Sequence, residues 1–321
     1  MVMTGGALQI DRPLWLPQVV ATQAKLDAAS WPPLDSGDFV GAEWRGAPLP
    51  APCEGASDCE AADALQNFFW RCRGGLSLEL GGLDGVTHSE TRAFEQAAGW
   101  RRVLVEADPA YEAKRRALSA DAVGVTAAVC SAPKTLHYIG RGPRGGIAEM
   151  MRPLRLRERL KRINPTLLAW LQRRGAGAAG VTSEQLAEVD EVRWQAGKWG
   201  EGPPIPVACT RLAHILDEIG VRRFHFGIID VEGAEVDVLR TVDWGRTAFG
   251  ILVVEVGGVQ PGARSAKARE HNTDATARTA NVAAFIRGVG QYNELFGGRP
   301  RGRNLWYIHQ NFSGFVRRRP R

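Results

Sequence analysis

The most constraining feature of this chain is a buried apolar run that leads directly into a glycine-rich turn. Residues 76–80 (Leu-Ser-Leu-Glu-Leu) are typical of a buried strand, and residues 81–85 (Gly-Gly-Leu-Asp-Gly) have little side-chain bulk. A second apolar run, at residues 103–105, ends in Glu106. Glycines let the backbone approach a ligand closely, and an acid at a strand end accepts hydrogen bonds from ribose hydroxyls. This unit therefore predicts a site for a cofactor that contains a nucleoside.

Helical and strand-like patterns alternate along most of the remaining chain. In the first half, they predict helices at residues 61–71, 89–98 (with Ser89 as N-cap) and 108–118, and strands at 102–106 and 123–129. In the second half, they predict helices at 210–220, 234–244 and 275–288, strands at 224–231 and 250–256, and a hairpin of 291–295 with 304–310. Strands separated by helices pair in parallel through right-handed crossovers. We therefore predict an α/β fold with a mainly parallel sheet and an antiparallel terminal hairpin.

The predicted domain occupies residues 61–312 and carries three additions. Residues 1–60 are rich in Pro, Gly, Ala and Asp, hint at a helix only at 18–29, and are expected to form a loosely ordered extension. Residues from about 140 to 204 form an insertion with a basic helical stretch at 153–174, interrupted by Pro165. Insertions of this length in α/β domains commonly carry specificity. Residues 313–321 form a basic tail.

Composition disfavours two classes of function. The net charge is +6, but no aromatic ladder or nucleic-acid motif accompanies the arginine clusters at residues 152–174 and 299–321. A solvated basic surface is therefore favoured over a nucleic-acid interface. No apolar run approaches the ~20 residues that a spanning helix needs, and no signal peptide is visible at Met1. We expect a cytoplasmic protein without a membrane span.

The five cysteines are an odd number and lack the CxxC spacing of metal sites. Cys53 and Cys59 could form a disulfide in an oxidising compartment. Scattered reduced thiols are the favoured interpretation of the whole set, which is Cys53, Cys59, Cys72, Cys130 and Cys209.

Four motifs occur in an order that resembles one known family. They are Glu79-Leu-Gly-Gly-Leu-Asp-Gly85, Val105-Glu-Ala-Asp-Pro109, Ala127-Ala-Val129 and Asp230-Val-Glu-Gly-Ala-Glu-Val-Asp-Val-Leu239. Together they resemble the FkbM family of methyltransferases, which use S-adenosylmethionine. The resemblance covers residues from about 68 to 140 and from about 207 to 310. It implies a Rossmann-like class I methyltransferase fold with a seven-stranded sheet.

The resemblance also implies a role for each matching residue in cofactor binding. Glu79 would help to hold the amino group of the methionine part. Glu106 would bind both ribose hydroxyls, because a carboxylate offers two acceptor oxygens at a fixed separation. The turn around Ala128 would frame the adenine with backbone groups.

The glycine turn would lie beneath the methionine part of the cofactor, with Gly81 and Gly85 giving it close backbone approach. Asp84 could contact the cofactor, or it could fix the turn by bonding its own backbone. Gly82 departs from the family pattern, in which a small residue such as Ala is more usual. We expect this departure to be benign.

Two acids follow the strand predicted at residues 224–231. Because the carboxyl ends of strands line the ligand crevice of an open α/β sheet, Asp230 should face the sulfonium and the acceptor. A hydroxyl acceptor loses its proton as it attacks, and Asp230 is the first candidate for the base or the orienting group, with Glu232 beside it. Alternatively, Asp230 and Glu232, together with Glu255, could hold a divalent ion through oxygen ligands.

Two of the six histidines are predicted to lie on loops at the rim of the sheet. His88 follows the glycine turn, and His271 follows the strand at residues 250–256. Rim loops carry function more often than strands do, so these two are further catalytic candidates. A structural role is the competing interpretation for each of them.

The favoured function is S-adenosylmethionine-dependent methyl transfer to a hydroxyl of a sugar or another small molecule. A nicotinamide-dependent oxidoreductase is the rival enzyme class, but the turn at residues 81–85 does not fit the fingerprint G-x-G-x-x-G. A non-catalytic binding protein on a methyltransferase fold is the third hypothesis. It would use the basic insertion and tail as its binding surface.

Overall fold

The computed structural model describes residues 9–10, 16–25, 31–32, 60–69, 72–118, 121–140, 142, 145–151, 153–173, 185, 204–260, 262 and 264–312. The strands in these residues are β1 (Gln9–Ile10), β2 (Leu76–Leu80), β3 (Arg101–Glu106), β4 (Ala122–Thr126), β5 (Ala128–Val129), β6 (Lys134–Ile139), β7 (Gly146–Ile147), β8 (Ile205–Thr210), β9 (Arg223–Ile229), β10 (Ala248–Glu255), β11 (Tyr292–Glu294) and β12 (Asn304–His309). The α-helices are α1 (Leu16–Ala24), α2 (Glu60–Asn67), α3 (Arg92–Ala98), α4 (Glu112–Arg116), α5 (Pro153–Ile163), α6 (Pro165–Arg173), α7 (Leu212–Ile219), α8 (Glu235–Leu239) and α9 (Ala266–Val289). Short 3₁₀ helices lie at Pro109–Tyr111 and Phe296–Gly298.

The main sheet joins eight of the described strands in the order β1-β4-β3-β2-β9-β10-β12-β11. The five strands from β4 to β10 pair in parallel, whereas β12 is antiparallel to both of its neighbours. The predicted α/β architecture, with a mainly parallel sheet and an antiparallel terminal hairpin, is therefore confirmed. Seven of the strands lie between residues 76 and 309, and the short β1 adds an eighth by antiparallel pairing with β4.

The core lies on both faces of this sheet. One cluster packs alternate side chains of the strands, such as Leu78 and Val103, against α7, α8 and α9. The other packs Phe226 and Ile251 against α2 and α3. Because strand side chains alternate between the two faces, the central strands are buried on both sides. This burial explains why these strands have apolar runs from which they could be predicted.

Helices α3, α4 and α9 begin three or more residues away from the predicted positions, and α4 begins at Glu112, after the 3₁₀ helix Pro109–Tyr111. Helix α3 begins at Arg92, with Thr91 rather than Ser89 at its N-cap, because the Ser89 hydroxyl donates to Glu79 instead (2.8 Å). Helix α9 begins at Ala266, nine residues before the predicted start at residue 275. The Ser265 side chain caps it by accepting from the Ala268 amide (3.1 Å).

The strand predicted at residues 123–129 is divided between two sheets. β4 ends at Thr126, and after Ala127 the chain enters a second sheet with the order β5-β8-β6-β7. β8 is parallel to β5 and antiparallel to β6. β6, β7 and β8 were not predicted. β6 and β8 flank the predicted insertion, and β7 lies within it.

The described part of the insertion forms the predicted basic helices. α5 and α6 are separated at Asn164, whose side chain caps α6 by accepting from the Leu167 amide (2.8 Å). Pro165 occupies the first position of α6, where proline is well tolerated. Buried residues of both helices pack with residues of β6 and the following loop in a cluster of their own: Ile139, Ala148, Met151, Leu156, Leu160, Leu167 and Leu171.

One pair of cysteines differs from the prediction of reduced thiols. Cys130 and Cys209 form a disulfide that joins the ends of β5 and β8. The register of these parallel strands pairs Val129 with Thr210, so Cys130 lies diagonally opposite Cys209, with the two Cα atoms 5.8 Å apart. Cys72 is buried, and Cys53 and Cys59 lie outside the described residues.

The described parts of residues 1–60 contact the domain closely. Leu16 of α1 is buried in the main core. The Gln23 side chain accepts from the backbone amides of Arg222 and Arg223 (2.8 and 2.9 Å). Among the described helices, none combines the length and apolar character needed to cross a membrane. The proposed boundaries of the extension, domain and tail stay predictions, and residues 313–321 lie outside the described residues.

Candidate functional site

A cavity of about 240 Å³ opens at the carboxyl ends of β2, β3 and β9. Here the strand order reverses, because the chain proceeds from β2 to β3 on one side and returns to β9 on the other. In open α/β sheets, ligands bind at this reversal point. The charged and aromatic side chains that line the cavity are Glu79, His88, Glu90, Glu106, Tyr138, Asp230, Glu232 and Arg303.

Gly81 brings the two central strands together at the floor of this cavity. Its φ is +95°, and a Cβ at this position would lie 1.8 Å from the carbonyl oxygen of Asp230. The Gly81 amide donates to the Val105 carbonyl (3.0 Å), and the Asp230 amide donates to the Leu80 carbonyl (3.1 Å). Only glycine allows the backbones of residues 81 and 230 to lie this close. The absence of a side chain at Gly81 is therefore required by the contact between the two strand ends.

Glu79 is buried, and its carboxylate holds the loop that begins α3. One oxygen accepts from the Glu90 amide (2.8 Å). The other accepts from the Thr91 amide (3.2 Å), the Thr91 hydroxyl and the Ser89 hydroxyl. Glu79 lines the cavity as predicted for an amino-group ligand. Its contacts show that it also organises the fold around the site.

Glu106 joins the glycine turn to the segment after β3. One carboxylate oxygen accepts from the Leu83 amide (3.0 Å), and the other accepts from the Asp108 amide (2.7 Å). Each oxygen has a second lone pair, so the group retains acceptor capacity for a ligand. Burial raises the pKa of Glu106, although the Asp108 amide and the positive charge of Arg115 oppose that effect.

Asp84 and Gly85 do not line the cavity. The Asp84 carboxylate accepts from the Val86 and Thr87 amides (3.0 and 2.6 Å), which is the turn-fixing role that the sequence left open. At Gly85 the φ is +73°, and a Cβ would lie 2.7 Å from the Leu104 side chain. Both residues therefore fix the conformation of the turn and do not form part of the cavity wall.

Ala128 lines the opposite side of the cavity together with Ala127 and Val129. The chain crosses from the main sheet to the second sheet at this point, and the Ala127 amide donates to the Glu106 carbonyl (3.0 Å). The small side chains leave room for a planar group beside the strand ends. The predicted contact with adenine is compatible with this position.

Asp230 lies at the carboxyl end of β9 and faces the cavity. Its Oδ1 atom is buried and has no hydrogen-bond partner among the described residues. Burial, and then the negative charges of Glu255 and Glu232, hold the pKa of Asp230 well above its usual range. A buried acceptor without a partner is costly, so this atom is suited to bind a ligand donor or a cation.

Asp230 belongs to a group of three neighbouring carboxylates. Oxygen atoms of Asp230, Glu232 and Glu255 lie within 4.8 Å of one another, which is a spacing that a divalent ion could bridge. Glu255, however, is ion-paired with Arg303 and with Arg278 (3.8 Å for the latter). These guanidinium groups already compensate part of the negative charge that a metal would neutralise.

The two candidate histidines have different positions. His88 lines the cavity, and its φ of +60° places it in a conformation that is uncommon for a residue with a side chain. His271 does not lie on a rim loop as predicted, because it falls within α9. One ring nitrogen of His271 lies 3.0 Å from the Gly258 carbonyl oxygen, which is a structural contact.

Three of the charged and aromatic lining residues were not predicted from the sequence. Glu90 lies on the loop before α3, Tyr138 on β6, and Arg303 just before β12. Burial, and then the charges of Glu60 and Asp230, raise the pKa of Glu90 well above its usual range. The strand-like alternation of residues 134–139 could have indicated Tyr138. No local pattern identifies Arg303, which reaches the site only through the fold.

The family model for the FkbM methyltransferase domain matches residues 79–280. No curated protein and no solved structure matches the chain. The matched region begins at Glu79 and includes Gly81, Glu106, Ala128 and Asp230, which the structure gathers around one cavity.

Proposed function

The chain belongs to the FkbM methyltransferase family, and from this premise we propose that it transfers a methyl group from S-adenosylmethionine to a hydroxyl of a sugar or another small molecule. The observation that carries the proposal is the convergence of Gly81, Glu106 and Asp230 on one cavity at the reversal point of the sheet. We further propose that this strand order is the Rossmann-like class I arrangement implied by the family resemblance.

The residues around the cavity fit the proposed cofactor. When bound, S-adenosylmethionine supplies an electrophilic methyl carbon beside a positively charged sulfur. Glu106 would accept from the ribose hydroxyls, and Glu79 would accept from the amino group. The unpartnered Oδ1 atom of Asp230 supports a cationic or hydrogen-bond-donating ligand at the same cavity.

Asp230 is proposed to orient the acceptor hydroxyl and take its proton. The raised pKa of this group favours the protonated form in the empty cavity. A cation bound beside it would lower the pKa and restore the carboxylate, which can accept a proton. Holding the acceptor in line with the methyl carbon would supply a large part of the rate acceleration.

The insertion is proposed to select the acceptor. Gly145, Gly146, Ile147 and Met150 line the cavity opposite the strand ends, next to Tyr138 of β6. None of the four family-like motifs lies in this wall, although the matched region of residues 79–280 includes it. Its small and apolar side chains, with one phenol, suit a neutral ligand better than an anionic one.

Calorimetric titration with S-adenosylmethionine and, separately, with NAD tests the cofactor. We expect binding of the methyl donor alone. Glu106→Gln should weaken that binding by about tenfold to 100-fold, since hydrogen bonds to a charged group are worth about 1.5–3 kcal/mol. Glu294→Gln, an exposed substitution on β11, is the matched control and should bind as the unmodified protein does.

Transfer of a labelled methyl group to pooled hydroxyl and amine compounds then tests the reaction. We expect the labelled methyl group to appear on hydroxyl compounds, and we expect Asp230→Asn to reduce the amount transferred. Binding of S-adenosylmethionine without transfer to any acceptor would favour the non-catalytic hypothesis. Absence of binding, or equal affinity in Glu106→Gln, would contradict the cofactor assignment.

A further inference from the structure

A second cavity, of about 660 Å³, lies at the opposite end of the main sheet. It is lined by the first residues of β9 and β10, Arg223 and Ala248, and by His309 at the end of β12. The candidate methyl-transfer cavity lies at the carboxyl ends of these parallel strands. β9 has seven residues and therefore separates the two cavities by roughly 20 Å. A ligand in the second cavity would not compete for the first.

The lining of this second cavity is strongly basic. Arg222, Arg223 and Arg246 contribute guanidinium groups, and none of the described lining residues is acidic. The carboxylates that pair with these arginines lie outside the lining. Asp217 pairs with Arg222 and with Arg246 (3.6 Å for the latter), and Asp243 pairs with Arg246 (4.0 Å). The cavity surface therefore presents more donors than acceptors.

Two residues of this lining each carry a buried side-chain donor that has no hydrogen-bond partner among the described residues. One is the hydroxyl of Thr247, a residue that is only 1% exposed. The other is Nη1 of Arg222, whose side chain is 17% exposed. Burial, and then the positive charge of Arg246, lower the pKa of Arg222. Buried donors without acceptors are costly, and an oxyanion would satisfy both of them.

We propose that this second cavity binds a small molecule that carries a phosphate or sulfate group. Three arginines and a threonine hydroxyl can surround a tetrahedral oxyanion, whose several oxygens accept many hydrogen bonds at once. The cavity is much larger than a free ion and falls in the usual size range for small-molecule ligands. The amides of Gln291 and Gln310, which also line it, can bind the remainder of the ligand.

Calorimetric titration of the full chain at constant ionic strength tests this proposal, with inorganic phosphate, glucose 6-phosphate, glucose 6-sulfate and gluconate as probes. We expect saturable binding of the phosphate ester or the sulfate ester, and the stronger of the two identifies the group. Arg246→Gln should weaken that binding about tenfold. Thr247→Val should weaken it about threefold to tenfold, because it removes one donor.

Arg240→Gln is the matched control for charge. Arg240 is 64% exposed and pairs with Asp237 three residues away, as the 61% exposed Arg246 does with Asp243, but it does not line the cavity. The Arg240→Gln variant should bind the phosphate or sulfate ester as tightly as the unmodified protein does. Equal loss in Arg240→Gln and Arg246→Gln, equal binding of gluconate, or no saturable binding would each overturn the proposal. Because Arg246 is so exposed, its substitution should leave the fold intact, and a circular-dichroism spectrum checks this.

Discussion

Asp230 shows how strongly the surroundings change the chemistry of a single side chain. In the sequence it is one acid among several after a strand. In the structure it is surrounded by Glu255, Glu232 and Glu235, and its Oδ1 atom has no hydrogen-bond partner among the described residues. The folded protein therefore favours the protonated form of this carboxyl, and a bound cation would favour the carboxylate instead.

The raised pKa of Asp230 predicts how stability depends on pH without ligand. In the unfolded chain an Asp titrates near pH 4, whereas in the folded protein its pKa is raised. The folded state therefore binds this proton more tightly, and the free energy of unfolding falls as pH rises between the two pKa values. Glu90 acts in the same direction. We expect the ligand-free protein to lose stability as pH rises above about 4, where these carboxyls ionise in the unfolded chain but stay protonated in the folded protein.

Asp230→Asn should reduce this dependence, because the amide does not titrate. Urea denaturation at several pH values should show the variant more stable than the unmodified protein at about pH 8, by about 1 kcal/mol or more, with a smaller difference at about pH 5. Asp237→Asn, on the exposed side of α8, should follow the unmodified protein. A variant that is less stable by the same amount at every pH would refute the prediction.

At the scale of secondary-structure elements, the β2–α3 connection combines a structural role with a proposed role in cofactor binding. β2 ends in the glycine turn, and the chain then passes Asp84 and His88 before α3 begins. Glu79, still within β2, accepts hydrogen bonds from this loop and so fixes where α3 starts. The carboxylate that was predicted to hold the cofactor therefore also positions the loop that lines the cavity.

Glu79→Gln tests this double role. The amide keeps one acceptor oxygen, but its NH₂ group would face donors, so we expect a loss of about 2 kcal/mol in the free energy of unfolding. Urea denaturation measures this loss. Glu270→Gln, an exposed substitution on α9, should cost much less, because surface ion pairs contribute about 0–1 kcal/mol. Unchanged stability with weakened cofactor binding would show that Glu79 serves the ligand alone.

At the scale of the whole molecule, the two sheets meet where the candidate site is built. β4 belongs to the main sheet and β5 to the second, and the crossing at Ala127 lies beside Glu106. The second sheet and the insertion loop contribute Tyr138 and Met150 to the cavity wall. The position of this wall therefore depends on how firmly the second sheet is held.

The disulfide between Cys130 and Cys209 should stabilise this arrangement. It closes a loop with a sequence separation of 79, and disulfides typically contribute about 2–4 kcal/mol. We expect dithiothreitol to lower the midpoint of thermal unfolding. Peptide mapping without reductant should recover a linked peptide that contains both residues. In the double variant Cys130→Ser/Cys209→Ser, dithiothreitol should not change the midpoint of thermal unfolding. Failure to find the linked peptide in the unmodified protein would contradict the disulfide.

Much of the main sheet was predictable because its central strands are buried on both faces. β2 was predicted at its observed bounds, and β3, β9 and β10 to within two residues at each end. Predictions failed where the signal was not local. The strand at residues 123–129 is split because Ala127 leaves one sheet for another, and His271 lies in a helix whose start depends on the Ser265 cap.

The sequence by itself determined the framework of the candidate cofactor site: a strand, a glycine turn and an acid at the end of the next strand. These features are encoded by neighbouring residues, whose burial and backbone freedom follow from their own chemistry. Only the tertiary structure decided that Arg303 and Tyr138 join this site, that Cys130 pairs with Cys209, and that Arg222 and Thr247 share a second cavity. Each of these depends on contacts between residues far apart in the chain, which become neighbours only when the sheets and the insertion pack together.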